Sequence, residues 1–348
     1  MVKMKDVSRH AGVSVATVSN VLTGKRNVSP KVRARVMTSI KELDYQVNYL
    51  ARGLKTRHTS TIGVVLPGIT KLFFQKVLNG IISAAAEAGY RILIMNSNYD
   101  FDTERALISS LARSYVDGII LDTCSPMSES DKWADYLVNK KNRIPPVISI
   151  ESKMNAGAIS SVTLDNALYS SQITQHLLDL GRRRILFVSG LIFLEHEHDR
   201  YRGYLECLKK NNIEPDKSLQ AFGDYLSESG HHLVLQKLRE NITFDAVQAS
   251  SDQAAIGALK ALRESGIPVP GAVSVCGFDN VFPGSLVSPA ITTVDVPGHQ
   301  LGAEAVKTLI YLLQNPSSEP LLRTLTAGIL VRESSAAGTA SDWDLADW

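Results

Sequence analysis

Apolar positions near the start of the chain recur with a helical period. Val7 and Ala11 stand four apart, Val18, Val21 and Leu22 follow at i, i+3 and i+4, and Val32, Val36, Ile40 and Leu43 make a third stripe. The residues between the stripes punctuate them into three helices. Gly12 supplies a sharp turn, Ser14 can cap the second helix with its hydroxyl, and Ser29-Pro30 opens the third with a residue preorganised for the first helical position. The second stripe leaves Val15, Ala16, Thr17 and Asn20 outside, all short. A major groove accepts a helix only when its leading side chains allow close approach to the base edges. In that geometry Asn20 would pair with adenine N6 and N7, Val15 and Ala16 would meet a thymine methyl, and Arg26 would reach guanine or a phosphate.

From residue 61 the pattern changes to short apolar runs alternating with helical stretches. Thr61–Leu66, Arg91–Met95, Asp117–Leu121 and Pro146–Ile150 predict buried parallel strands. After about Leu164 the alternation restarts with Arg184–Val188, Asp245–Ala249 and Val273–Gly277. Two doubly wound lobes are implied, with a ligand crevice beyond the carboxyl ends of the strands.

Charge sharpens the first part of this picture. Residues 1–60 hold twelve Lys and Arg against Asp6, Glu42 and Asp44, a net +9, and since the whole chain is +2 the remainder carries −7. A basic head on an acidic body is the footprint of a nucleic-acid binder, although a solvated basic face would give the same count. The chain has 348 residues, 44% of them hydrophobic, ample for such a head and a globular body. No apolar run approaches the roughly 20 residues of a membrane helix, and the opening residues lack the apolar core of a signal peptide. Cys124, Cys207 and Cys276 are few and far apart, which fits reduced thiols. A cytoplasmic protein without membrane contact is expected.

Lys5-Asp6-Val7, Ala11-Gly12-Val13-Ser14, Thr17-Val18-Ser19, Val28-Ser29, Leu43-Asp44-Tyr45 and Ala51-Arg52-Gly53-Leu54-Lys55 resemble the lactose repressor family of bacterial transcription regulators. The resemblance implies an α/β protein: a helix-turn-helix head over 1–46, a hinge helix and linker over 47–60, and a two-lobed body of periplasmic-binding-protein type. The lobes would be 61–163 with 292–321, and 164–291 with 322–334, followed by a disordered acidic tail over 335–348. It also implies that Leu54 wedges into the minor groove and that Lys55 contacts it. Two positions depart from the family pattern. Its Tyr-x-Pro-Asn reads Tyr45-Gln46-Val47-Asn48, and Gly53 within the hinge helix costs about 1 kcal/mol relative to Ala.

The candidate DNA contacts are therefore Lys5, Ser14, Val15, Ala16, Thr17, Asn20, Lys25, Arg26, Leu54 and Lys55. The candidate effector contacts are Phe74, Glu151, Arg200, Tyr225, Ser251, Asp252 and Asp279. Most follow strand ends; Arg200 and Tyr225 also match effector motifs of the family. Carboxylates that accept hydroxyl protons, an arginine donor and aromatic faces suit a sugar or sugar acid. Asp252 and Asp279 have the alternative role of capping the helices after their strands.

Other chemistry finds little support. Glu195-His196-Glu197-His198 is read as a loop of alternating residues without an i, i+4 ligand pair, so no metal is expected; one His could instead reach the cleft and recognise an acidic effector. No phosphate loop, nucleophile elbow or dinucleotide fingerprint occurs, and no cofactor or enzyme activity is expected. The reading is a repressor that binds a pseudo-palindromic operator as a homodimer under control of its effector; most members of the family are released by their effector and some are recruited by it, so release is the expectation. The tail has no leucine heptad to build a tetramer. The alternative is a solute-binding protein with the same body, which would not need the basic head.

Overall fold

The computed structural model describes residues 2–23, 27–45, 58–114, 116–154 and 157–339. The chain forms two compact units, Met1–Thr59 and Ser60–Trp348.

Among the described residues the first unit has three helices, α1 (Met4–His10), α2 (Val15–Thr23) and α3 (Pro30–Glu42). The Lys3 amide donates to Asp6 Oδ2 at 2.9 Å, which satisfies an orphan donor at the start of α1. Gly12 turns the chain at φ +60°, a left-handed conformation that favours glycine. Ser14 then caps α2, its Oγ accepting from the Thr17 amide at 3.1 Å. Val7, Ala11, Val18, Val21, Val36 and Tyr45 form the buried core. The hinge expected from 47 lies outside the described residues up to 57, as do Lys25, Arg26, Leu54 and Lys55.

The second unit contains two parallel sheets. The first runs β11-β5-β4-β3-β1-β2, with β1 Thr61–Leu66, β2 Arg91–Asn96, β3 Gly118–Leu121, β4 Val147–Ile150, β5 Ser160–Leu164 and β11 Leu322–Leu325. Ile62, Val64 and Leu66 face α4 (Phe73–Glu87) and α12 (Gly298–Gln314), burying Phe74, Val77, Ile81, Leu301 and Ala305. Val65, Ile119 and Leu121 face the other way, onto α5 (Phe101–Arg113) and α6 (Ser130–Val138) through Ile108, Leu111, Trp133 and Leu137. A sheet covered on both faces explains why its strands read as continuous apolar runs. The α4–α12 crossing is close because glycines stand at it: a Cβ on Gly80 would lie 1.9 Å from the His299 carbonyl oxygen.

The second sheet runs β7-β6-β8-β9, with β6 Ile185–Ser189, β7 Gln220–Phe222, β8 Ala246–Ala249 and β9 Ser274–Cys276. Leu186 and Val188 pack on α9 (Ser227–Arg239) and α10 (Asp252–Glu264). Ile185 and Phe187 pack on α7 (Asn166–Asp179) and α8 (Glu195–Lys210) through Ile173, Leu177, Tyr204 and Cys207. A short helix, α11 (Phe282–Leu286), follows β9.

Two of the expected lobe crossings move. Thr292 bridges to Cys276, and β10 (Thr293–Asp295) pairs with β12 (Gly328–Leu330) while Val294 and Val296 are buried with Phe187 and Tyr204. The second crossing therefore follows Val296, not 291. β11 pairs in parallel with β5 of the first sheet, so the third crossing follows Leu325, not 322. Short strands without an apolar run do not reveal which sheet they join. Residues 335–339, expected as the start of the tail, lie within the described residues. Ser335 is 4% exposed, its Oγ lying 2.8 Å from His176 Nε2 and 2.6 Å from Thr292 Oγ1. The acidic residues beyond 339 lie outside the described residues.

Candidate nucleic-acid interface and ligand cleft

On the head, the buried side of α2 is Val18 and Val21, which leaves Val15 and Ala16 exposed and Thr17 and Asn20 half-buried. The Ser14 and Thr17 hydroxyls lie 2.9 Å apart, so the cap fixes both side chains at the leading end of the helix. Lys5 is exposed on α1. These residues form a surface of small side chains at a helix N-terminus, the part of a helix that enters a major groove first.

In the body, six of the seven candidate effector residues line one cleft: Phe74, Glu151, Arg200, Tyr225, Ser251 and Asp279. Most stand just beyond the carboxyl ends of strands, Glu151 after β4, Tyr225 after β7, Ser251 after β8 and Asp279 after β9. Lys71, Phe73, Tyr99, Asp122, His196 and Gln253 complete the lining. Tyr99 follows β2 and Asp122 follows β3, so the strand-end rule, applied to every strand, would have reached both. Four of these residues hold left-handed backbone: Tyr99 at φ 58°, Glu151 at 65°, Tyr225 at 72° and Asp279 at 105°. Strain of this kind is tolerated where surrounding contacts fix the chain. At Tyr225 the contact is Gly190, where a Cβ would come within 2.0 Å of the ring.

Arg200 anchors the cleft. Its Nε donates to Asn166 Oδ1 at 2.8 Å and its Nη1 to the Ser250 carbonyl at 2.6 Å. Glu151 and Asp279 each lie 3.6 Å from its guanidinium, which also sits 3.8 Å over the Phe278 ring. Burial still pushes the Glu151 and Asp279 carboxyl groups above the usual range against the opposing pull of Arg200. Asp122 is raised by burial and then by the charges of Glu151 and Glu104. Glu104 holds the segment after Asp122 in place, accepting from Thr123 Oγ1, the Cys124 amide and Trp133 Nε1 at 2.6 to 2.8 Å.

Asp252 does not line the cleft. Its Oδ2 accepts from the Val281 amide at 2.8 Å, tying α10 to the loop after β9, while Ser251 caps α10 through the Ala254 amide at 3.1 Å. Ser251 Oγ also donates to the Tyr225 carbonyl at 2.9 Å.

The Glu195-His196-Glu197-His198 stretch is the first turn of α8 and not a loop. Its side chains diverge. Glu195 accepts from the Lys153 and Met154 amides, Glu197 is buried against Ser189 and Gly190, and His196 reaches the cleft, 3.1 Å from the Tyr225 hydroxyl. Among the described residues no group of His, Cys, Asp and Glu could hold a metal ion. Desolvation, with Arg200 and Lys71 adding, lowers the His196 pKa to about 3, so the ring is neutral.

The segment 71–76 of the first lobe crosses to the second. Lys71 Nζ donates to the Asp224 carbonyl at 2.8 Å, the Leu72 amide to Gln253 Oε1 at 3.2 Å, and Lys76 Nζ to the Asn280 carbonyl at 3.2 Å. With the lobes drawn together the cleft encloses about 40 Å³.

Residues 3–48 match the family model for bacterial regulatory proteins of the lacI family, and residues 174–335 match that for a periplasmic-binding-protein-like domain. The transcriptional regulator RegA of Clostridium saccharobutylicum is 33% identical over 95% of this chain and 98% of its own length. Catabolite control protein A of Priestia megaterium is 31% identical over 96% of this chain and 99% of its own. The crystal structure of the Lac repressor dimer bound to operator and the anti-inducer ONPF superposes with a TM-score of 0.86 at 26% identity, covering 96% of this chain and 99% of that one. With its head and body both matched and its relatives aligned end to end, the chain belongs to the LacI family: it is a DNA-binding transcription regulator with a ligand-binding body, and not an enzyme.

Proposed function

We propose that the protein is a cytoplasmic repressor that binds a pseudo-palindromic operator as a homodimer and releases it when a small hydroxylated effector enters the cleft. The observation that carries this reading is the pairing of two features on one chain. α2 presents Val15, Ala16, Thr17 and Asn20 outward, and the strand ends of both lobes converge on a cleft of aromatic rings and carboxylates.

Within the head, Asn20 reads an adenine, Val15 and Ala16 meet a thymine methyl, and Lys5, Ser14, Thr17, Lys25, Arg26 and Lys55 hold phosphates or groove edges, with Leu54 as the minor-groove wedge. Each head spans a few base pairs, so two are needed for useful affinity. Exposed apolar residues support a dimer. Ile82 on α4 and Leu93 and Ile94 on the edge strand β2 are 38 to 46% exposed, the kind of surface a second copy would cover. No helix among the described residues is long and apolar enough to cross a membrane.

Effector control follows from segment 71–76. A ligand that displaces Lys71 breaks its contact between the lobes, and a differential affinity for the two lobe arrangements is what couples the cleft to operator binding. The experiment is selection of bound DNA from a random pool at fixed salt, repeated with a panel of small hydroxylated metabolites. The expected result is a pseudo-palindrome that one compound releases. No consensus sequence, or a consensus indifferent to every compound, would count against the reading.

A further inference from the structure

The cleft already holds a cation. The Lys71 ammonium lies 4.2 Å from the ring centroids of both Tyr99 and Tyr225, one ring from each lobe, and donates to the Asp224 carbonyl. Two aromatic faces converging on one ammonium attract it through the ring quadrupoles, against a desolvation that lowers the Lys71 pKa to about 8.

The surrounding acids point the same way. Asp122 and Glu151 line this cleft, 2% and 5% exposed, and Asp122 Oδ1 and Glu151 Oε1 accept no hydrogen bond from the described residues. Buried carboxylate oxygens of this kind call for donors. Apart from Lys71 itself, little in the lining is available to receive an anion. Arg200 is committed to Asn166, Ser250, Glu151 and Asp279, and His196 is neutral.

We propose that the cleft recognises a hydroxylated primary amine, such as an amino sugar, whose ammonium takes the place of the Lys71 ammonium between Tyr99 and Tyr225 and whose hydroxyls donate to Asp122 and Glu151. The proposal rests on the effector reading above and narrows it, setting aside sugar acids. It makes Lys71 a built-in competitor: with about 40 Å³ enclosed, a ring-sized ligand enters only as the lysine leaves. Burial, reinforced at Asp122 by its acidic neighbours, raises both carboxyl groups, and the ligand's ammonium would take over the partial relief that Lys71 gives Asp122.

The test is calorimetric titration of the full chain with D-glucosamine, N-acetyl-D-glucosamine, D-glucose and D-gluconate, with operator affinity measured on the same samples. Glucosamine is expected to bind at least about tenfold more tightly than the two neutral sugars, and gluconate not at all. Lys71→Met should tighten glucosamine binding several-fold and Asp122→Asn should weaken it about tenfold; the first variant reads the same competition if the second does not fold. Equal affinity for glucose or the acetylated sugar, preference for gluconate, or binding of none of the four overturns the proposal. A neutral sugar or acid that binds and shifts operator affinity would leave the effector reading standing without the amine. Glucosamine that binds without shifting operator affinity would leave the amine site and remove the regulatory role.

Discussion

Arg200 of the second lobe and Glu151 of the first stand 3.6 Å apart, each side chain 4% exposed. An ion pair this deep holds the lobes together only while both members are present, because a lone buried charge is far costlier than the pair. Arg200→Ala leaves Glu151 and Asp279 without their cation. The expected loss is about 3 kcal/mol of stability, or roughly 6 to 12 °C in the melting temperature of the body, together with loss of ligand binding. An Arg200→Ala protein that melts with the wild type but ignores every ligand would mean that the arginine acts on the ligand alone.

Base reading and phosphate holding separate on the head. Asn20→Ala is expected to cost about 1 to 3 kcal/mol on the selected operator and to relax preference at one base-pair position. Lys5→Ala should weaken all sequences evenly and lower the slope of log affinity against log salt by about 0.9. Selection on each variant checks both. Uniform losses for Asn20→Ala would take that residue out of the readout.

Gly80 tests the packing of the first lobe. An alanine there would drive its methyl into the His299 carbonyl, 1.9 Å away, so α4 and α12 must separate. The expected cost is about 3 kcal/mol, seen as a fall in the denaturation midpoint without change in the head's own unfolding. Gly89, which has open space around it, is the control, although its φ of +76° still strains a side chain.

Asp252 gives a pH signature. Burial raises its carboxyl to about 7 in the folded protein, well above an unfolded aspartate near 4. Its contribution to stability is therefore full below about pH 4 and is lost as pH rises through 7, since the unfolded chain releases the proton more easily. Asp252→Asn removes this loss. Thermal unfolding from pH 5 to 8 should show the variant gaining on the wild type as pH rises, and a constant difference between the two would place the carboxyl near its ordinary value.

How much of this was legible in the sequence depended on how each residue earns its place. β1, β3, β4, β6, β8 and β9 announce themselves because strands buried on both faces are apolar runs, and the edge strand β2 does so through Ile92-Leu93-Ile94-Met95 although it is partly exposed. β5 is buried at all five positions yet reads Ser160-Ser161-Val162-Thr163-Leu164, and its hydroxyls hide it; Ser160 Oγ, for one, accepts from the Leu321 amide at 2.8 Å. β7 and β10 to β12 are three or four residues long, too short for a period to register. In the cleft, Glu151, Ser251 and Asp279 were found by position after a strand. Lys71 also follows a strand, β1, but its role is set by Tyr225 and Asp224, more than 150 residues away. The Glu195–His198 turn misleads for a related reason. The apolar stripe that identifies α8 begins only at Gly203, Tyr204 and Cys207, after a wholly polar first turn.

The two units of the chain are completed on different schedules. Everything the head core requires is present once Tyr45 has been synthesised. The body waits. Its first sheet gains its outer strand only with Leu322–Leu325, and its second lobe is fastened by Ser334 and Ser335 to Val275 and Thr292. Contacts of such long range are slow to form, so during translation the DNA-reading head matures long before the ligand-binding body.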